Sequence, residues 1–184
     1  MELGNDLRRI ADAAIRYAKP GEELAGIVPA EPVEGARVYL CAYERQGTTA
    51  WLVLDDDGEP VADRARVRAA VSIAALCELA EEVAGGGDLD DLRSQLVALR
   101  VTENPAGIDE AEAAALDLQA TIGGSPRVAT AAYLDAVGAA TLRLERALGG
   151  DTGSPFAAAM KDATRTVEEL VTDVERAYKV PLAG

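Results

Sequence analysis

The chain has 184 residues, 49% of them apolar and 37 of them alanine, and it carries a formal charge of −14. That charge works against nucleic-acid binding, which rests on phosphate neutralisation by Lys and Arg, and against anionic membrane surfaces; it suits a basic protein partner, a decoy for a nucleic-acid-binding protein, or a self-repelling soluble surface. The absence of histidine removes Ser-His-Asp and Cys-His catalysis and most zinc, copper and non-haem iron sites.

Residues 5–19 are predicted to form a first helix. Asn5 can cap it, and Leu7, Ile10, Ala11, Ala14, Ile15 and Ala18 make one stripe at helical spacing. Pro20-Gly21 stops it. Residues 20–36 contain Pro20, Pro29 and Pro32, a spacing that predicts a connecting segment, extended at most over Leu24–Val28.

Residues 37–45 and 48–55 are rich in aromatic and β-branched side chains and are broken only by Gln46-Gly47, which predicts a β-hairpin. A two-residue turn there sets Ala42 opposite Trp51 and Leu40 opposite Val53. One face then carries Val38, Leu40, Ala42, Trp51 and Val53, the other Tyr39, Cys41, Tyr43, Leu52 and Leu54. Both are apolar, so both are expected to be covered. A third short strand is expected near Glu59–Ala62.

Arg64–Val83 is the centre of the expected fold. From Ala69 to Cys77 its only polar residue is Ser72, and a helix without a polar stripe must be covered on most sides. Asp63 caps it and Gly85-Gly86-Gly87 ends it. Its charges run against the helix dipole, with Arg64, Arg66 and Arg68 in the first turns and Glu78, Glu81 and Glu82 in the last. A helix over about 89–100 follows, capped by Asp88, with Leu89, Leu92, Leu96 and Leu99 as its buried stripe. Asn104-Pro105 breaks the chain. Asp109 with Glu112 has a capping-box pattern at the start of the next helix, with Ile108 stapling to Ala113, and Gly123-Gly124 closes it.

Ser125-Pro126 and Ser154-Pro155 are matched helix starts, a cap followed by proline at the first helical position. Leu134, Val137, Thr141, Leu144 and Leu148 form one heptad-type seam. Phe156, Met160, Ala163, Val167, Leu170, Val174 and Ala177 form another. The glycine-rich connection at 149–153 makes the pair an antiparallel helical hairpin.

The resulting expectation is a single α+β domain over 1–184, predominantly α-helical. It comprises an N-terminal helix with the β-hairpin (1–62), central helices (63–122) and a C-terminal helical hairpin (125–180) completing a bundle around the central helix.

Candidate chemistry is sparse. Trp51–Val61, WLVLDDDGEPV, resembles the nucleophile loop of the haloacid-dehalogenase-like phosphatases. There the first Asp attacks phosphorus and the second acts as acid and base; the matching positions are Asp55 and Asp57. Glu59 stands where the family has Thr, and everything after residue 63 reads helical where the family needs a parallel sheet and a later acidic motif for magnesium. The residues themselves read as an acidic turn with Gly58 at positive φ. Arg64 and Arg68, one turn apart at a helix start, can hold an anion or pair with nearby carboxylates. Asp55, Asp57, Arg64 and Arg68 are thus the candidate ligand-binding set, for a phosphorylated or acidic ligand. Glu78 and Glu82, one turn apart, are a weaker oxygen-only metal pair. Tyr39, Tyr43 and Trp51 are the candidate interface residues.

Cys41 and Cys77 share no short motif and are expected to be buried small hydrophobes. The N-terminus has no apolar signal core, and no run approaches the ~18 apolar residues of a membrane span. A cytoplasmic protein without catalytic residues, metal or cofactor is expected. It would act through association, as a homodimer or with a dedicated protein partner, and without direct nucleic-acid or membrane binding. The alternative is an anionic-ligand-binding protein or a magnesium-dependent phosphate-handling enzyme built on Asp55–Arg68.

Overall fold

The computed structural model describes residues 2–86, 88–124, 127–150 and 155–184. The fold is α+β and mostly helical. Its elements in chain order are α1 (Glu2–Ile15), β1 (Glu23–Glu31), β2 (Val38–Arg45), β3 (Thr48–Asp55), α2 (Arg64–Gly85), α3 (Asp88–Thr102), α4 (Ile108–Gly123), β4 (Ala129–Thr130), α5 (Ala131–Ala147) and α6 (Pro155–Arg176). Two compact units form. The first holds residues up to Ala75, Arg127–Ala131 and everything from Thr166 onward; the second holds Leu76–Pro126 and Ala132–Arg165. Both α2 and α6 therefore contribute to each.

The first unit is built on the hairpin. Gln46 and Gly47 both have positive φ, 50° and 78°, the two-residue turn whose twist matches the flanking strands. The turn sets the register: Ala42 faces Trp51 and Leu40 faces Val53. Ile10, Ala13 and Ala14 of α1 join Tyr39, Cys41, Tyr43, Leu52 and Leu54 of one sheet face in a fully buried core. On the other face Val38, Leu40 and Val53 are buried too.

The hairpin belongs to a larger sheet, of order β3-β2-β1-β4. The proline-rich segment forms β1, antiparallel to β2 from Glu23 to Ala30, where the sequence leads one to expect a connecting segment, extended over Leu24–Val28 but not a paired strand. Two features admit it. A register shift between Leu24 and Gly26 absorbs one residue. The far edge is open as far as Pro29, since the parallel pairing with β4 begins at Ala30, and an open edge is where a strand tolerates proline. The short strand expected near 59–62 reduces to one bridge, Leu54 with Pro60.

The outer edge of β3 is covered by the C-terminal segment. Trp51 N–H donates to Ala177 O at 3.1 Å, and Lys179 N–H to Trp51 O at 2.9 Å. Further on, Ala183 N–H donates to Ala62 O at 2.8 Å and Arg64 N–H to Ala183 O at 3.0 Å. A free strand edge is thereby closed.

Helix boundaries follow local chemistry with several corrections. The first helix starts before Asn5 and ends at Ile15, so Asn5 is not its cap. Asp63 does cap α2, its carboxylate accepting from Arg66 N–H at 2.7 Å. No residue of α2 from Arg66 to Cys77 is exposed, as a helix with no polar stripe requires. Asp109 lies inside the first turn of α4; the N-cap is Gly107, in the left-handed region at φ 87°, with no side-chain cap bond. Ile108 is itself buried.

The fifth helix begins at Ala131, after β4. The paired starts at Ser125-Pro126 and Ser154, and the part of the connection at 151–153, lie outside the described residues. At its other end, α5 closes with Gly150 N–H donating to Glu145 O and Gly149 N–H to Arg146 O, the Schellman pattern with glycine at C′. In α6, Ala163, Val167, Val171 and Val174 are buried, while Leu170 is exposed. The buried stripe thus passes through Val171 rather than Leu170.

In the second unit α3 packs on α4. Its buried side chains include Cys77 and Ala80 of α2, Leu89 and Leu96 of α3, Ile108, Ala111, Ala115 and Leu118 of α4, and Tyr133, Val137, Ala140, Thr141 and Leu144 of α5. Alanine at so many of these positions lets the helices approach closely. Phe156, at the start of α6, has its ring against Gly138 of α5. Among the described residues no helix is long and apolar enough to cross a membrane.

Candidate functional site

The acidic turn after β3 is held by its own backbone and by α1. The Asp55 carboxylate accepts from Asp57 N–H at 3.0 Å and Glu59 N–H at 2.9 Å. Arg9 donates to Asp56 O, and the Tyr39 hydroxyl to the Asp56 carboxylate at 3.1 Å. Gly58 has φ +80°, and a Cβ there would lie 2.8 Å from the Ala13 Cβ. Only glycine allows this approach. Asp57 is exposed.

Arg64 and Arg68 turn elsewhere. Arg68 pairs with Glu175 at 3.2 Å and Glu168 at 3.0 Å, and Arg64 lies 3.8 Å from Glu175. Among the described residues no ion pair joins either arginine to Asp55 or Asp57. The reversed charge at the start of α2 is offset by α6 carboxylates, not by the acidic turn next to it in sequence. Among the described residues no three Cys, Asp or Glu side chains gather as a possible metal set.

Tyr39 and Tyr43 are enclosed in their unit's core, so of the three candidate interface aromatics only the half-buried Trp51 keeps surface. Tyr43 donates to Ala14 O at 2.9 Å, and burial pushes its phenol upward. Burial also raises the Cys41 thiol to about 12, which leaves it without thiolate character near neutrality. Tyr178 accepts from Val53 N–H at 2.9 Å and donates to Val61 O at 2.7 Å; burial raises it to about 12. Lys179 and Glu22 form an ion pair with side chains only 5% and 9% exposed, and the ammonium lies 4.2 Å from the centre of the Tyr43 ring. The hydrogen bond from Lys179, then that from the Lys19 N–H, holds the Glu22 carboxyl below its ordinary range. These are features of closure: each polar group in them faces another group of the same unit.

The second unit has the open places. A groove of about 420 Å³ is lined by Ala84, by Leu89, Asp91, Leu92 and Gln95 of α3, by Leu118 of α4, by Thr141, Leu144 and Glu145 of α5, and by Leu148 just past its end. Leu148 is 48% exposed. The groove is mostly apolar and within the size range of binding sites, ~300–1,000 Å³. Asp91 and Glu145 are its ionisable residues. Leu148 sits in the last turn before the glycine cap of α5, so its seam runs out into the opening. The sequence contains the seam and the cap but not their consequence, that the last seam position is left about half exposed among the described residues.

A second cleft of about 610 Å³ lies between α4 and α5, with Ala113, Ala114 and Ala147 among its lining residues. Its charges cancel, Glu110 and Asp117 against Arg143 and Arg146, and Arg143 already pairs with Asp117 at 2.8 Å. The leucine groove is the better candidate site. None of Asp55, Asp57, Arg64, Arg68, Tyr39, Tyr43 or Trp51 lines it. No known protein family, curated protein or solved structure matches the chain.

Proposed function

We propose that the protein acts by association with another protein chain, a partner or a second copy, through the second unit. The observation that carries this reading is the groove over the buried Leu89, Leu118 and Leu144, at whose edge Leu92 is half-buried and Leu148 about half exposed. Apolar surface left open, as at Leu148, costs free energy in water, about 25 cal/mol per Å², and a covering chain removes that cost. Nothing in the geometry favours the phosphate-handling alternative, because the arginines it needs are paired with Glu168 and Glu175. The test compares the wild-type chain with Leu148→Asp. Light scattering at micromolar concentration reads self-association, and capture from the native host, read by mass spectrometry, identifies partners. The reading stands if a dimer or a partner is present with wild type and lost with Leu148→Asp. It falls if the wild type is monomeric and retains no protein that the variant loses.

A further inference from the structure

We infer that the leucine groove receives a basic amphipathic helix of a partner protein. The inference rests on the association reading above and adds the chemistry of the occupant. Shape gives the first argument. Leu89 and Leu92 stand three apart on α3, and Leu144 of α5 and Leu148 just past its end stand four apart, with Leu118 of α4 also lining the groove. Leu89, Leu118 and Leu144 form the buried floor and Leu92 and Leu148 the accessible edge, with the leucines of each pair about one helical turn, about 5 Å, apart. An incoming helix repeats its own apolar side chains at the same step, which is the helix-in-groove mode of recognition.

Charge gives the second argument and selects the partner. Both ionisable side chains on the groove are acidic, and no Lys or Arg is among its lining residues. Asp91 is exposed and has no ion pair or hydrogen bond with a described residue. Glu145 uses Oε1 to accept the Phe156 N–H at 3.2 Å, and its second oxygen has no partner among the described residues. A helix with Lys or Arg flanking its leucines meets both carboxylates while its apolar face fills the groove. A second copy is the poorer occupant, because each copy brings a charge of −14 and like-charged surfaces repel.

The test uses two synthetic peptides about four turns long, with identical leucine spacing. One carries Lys and the other Glu at the flanking positions. Binding to the full chain is followed by fluorescence anisotropy at near-physiological salt. The Lys peptide is expected to saturate at one per chain. Leu148→Asp should weaken it at least about tenfold and Leu148→Ala less. Asp91→Lys should also weaken it, while Val33→Asp, an exposed position in the first unit, should change nothing. Circular dichroism confirms that each variant is folded. Equal binding of the Glu peptide overturns the inference, and so does Lys-peptide binding that ignores Leu148→Asp, since that is attraction to net charge alone. Failure of both peptides also overturns it. The association reading is judged separately, by whether Leu148→Asp loses a dimer or a captured protein.

Discussion

The two units solve the problem of a polar backbone and a small core in opposite ways. The first is closed. Its sheet edge at β3 is covered by the C-terminal segment, its tyrosine hydroxyls are bonded to backbone or carboxylate, and its Lys179–Glu22 ion pair, with both side chains largely enclosed, lies against an aromatic ring. The second is open. Exposed apolar side chains occur in both, Val33 at 66% in the first and Val101 at 81% and Leu148 at 48% in the second, but the ion pairs of the second lie near the surface, as Arg100 with Asp109 at 3.0 Å does, and its groove stays open. Aromatic residues with polar tips let a sheet unit saturate its own bonds. An Ala- and Leu-rich bundle has few such tips, and part of its apolar surface stays open to solvent. Perturbing the first unit should therefore cost stability, and perturbing the open faces of the second should not.

The largest effect is expected at Glu22. Replacing it with Gln leaves the Lys179 ammonium buried against Tyr43 without its counter-charge, and breaking a buried pair from one side costs about 3–5 kcal/mol. Urea unfolding followed by circular dichroism reads this directly; a loss below about 1 kcal/mol would place the pair in the class of exposed ones. The pH dependence has a definite sign. Glu22 is held below its ordinary value of 4.5 in the folded chain, so the unfolded chain takes up a proton first as pH falls. The stability it contributes is complete above about pH 4.5 and is lost as pH drops through the lower folded value. In Glu22→Gln that part of the acid transition should disappear.

Gly58→Ala comes next. It places a side chain at φ +80° and a Cβ 2.8 Å from Ala13, which combines left-handed strain with overpacking, about 2–4 kcal/mol together. Tyr178→Phe follows. It removes the hydroxyl that joins Val53 N–H to Val61 O, and the buried groups left unpaired cost about 1–3 kcal/mol. Both are read as shifts in thermal midpoint. Equal shifts for the two would mean that the turn's close approach to α1 carries no strain of its own.

What could be read in the sequence divides along similar lines. The hairpin register was legible because a two-residue turn permits one pairing, so Gln46-Gly47 fixes Ala42 against Trp51. The burial of α2 was legible because an apolar run with Ser72 as its only interruption has no face for water. The strand β1 was not, because Pro29 argues against a ladder unless one knows that the far edge is open there and that a register shift at Leu24–Gly26 absorbs a residue. The partners of Arg64 and Arg68 were hidden for a different reason. Sequence proximity pointed to Asp55–Asp57, while folding brings Glu168 and Glu175 from about a hundred positions away. The groove was hidden because a leucine repeat predicts burial at every seam position. It says nothing of where the facing helix ends, and at Leu148 the seam outlasts its cover among the described residues.

The smallest effect on stability is expected at Val101, and it is the sharpest test of the contrast between the units. Val101 is 81% exposed in α3, so Val101→Lys removes almost no buried area and should leave the unfolding free energy within about 0.5 kcal/mol of wild type. Lysine is also a slightly better helix former than valine, by a few tenths of a kcal/mol. If the exposed valines are only unburied surface, solubility rises and nothing else changes. If this face supports contact together with the groove, association measured by light scattering or partner capture weakens while the thermal midpoint holds. Should Val101→Lys lower the midpoint as much as Tyr178→Phe does, the α3 face would be part of a packed interior, and the second unit would be as closed as the first.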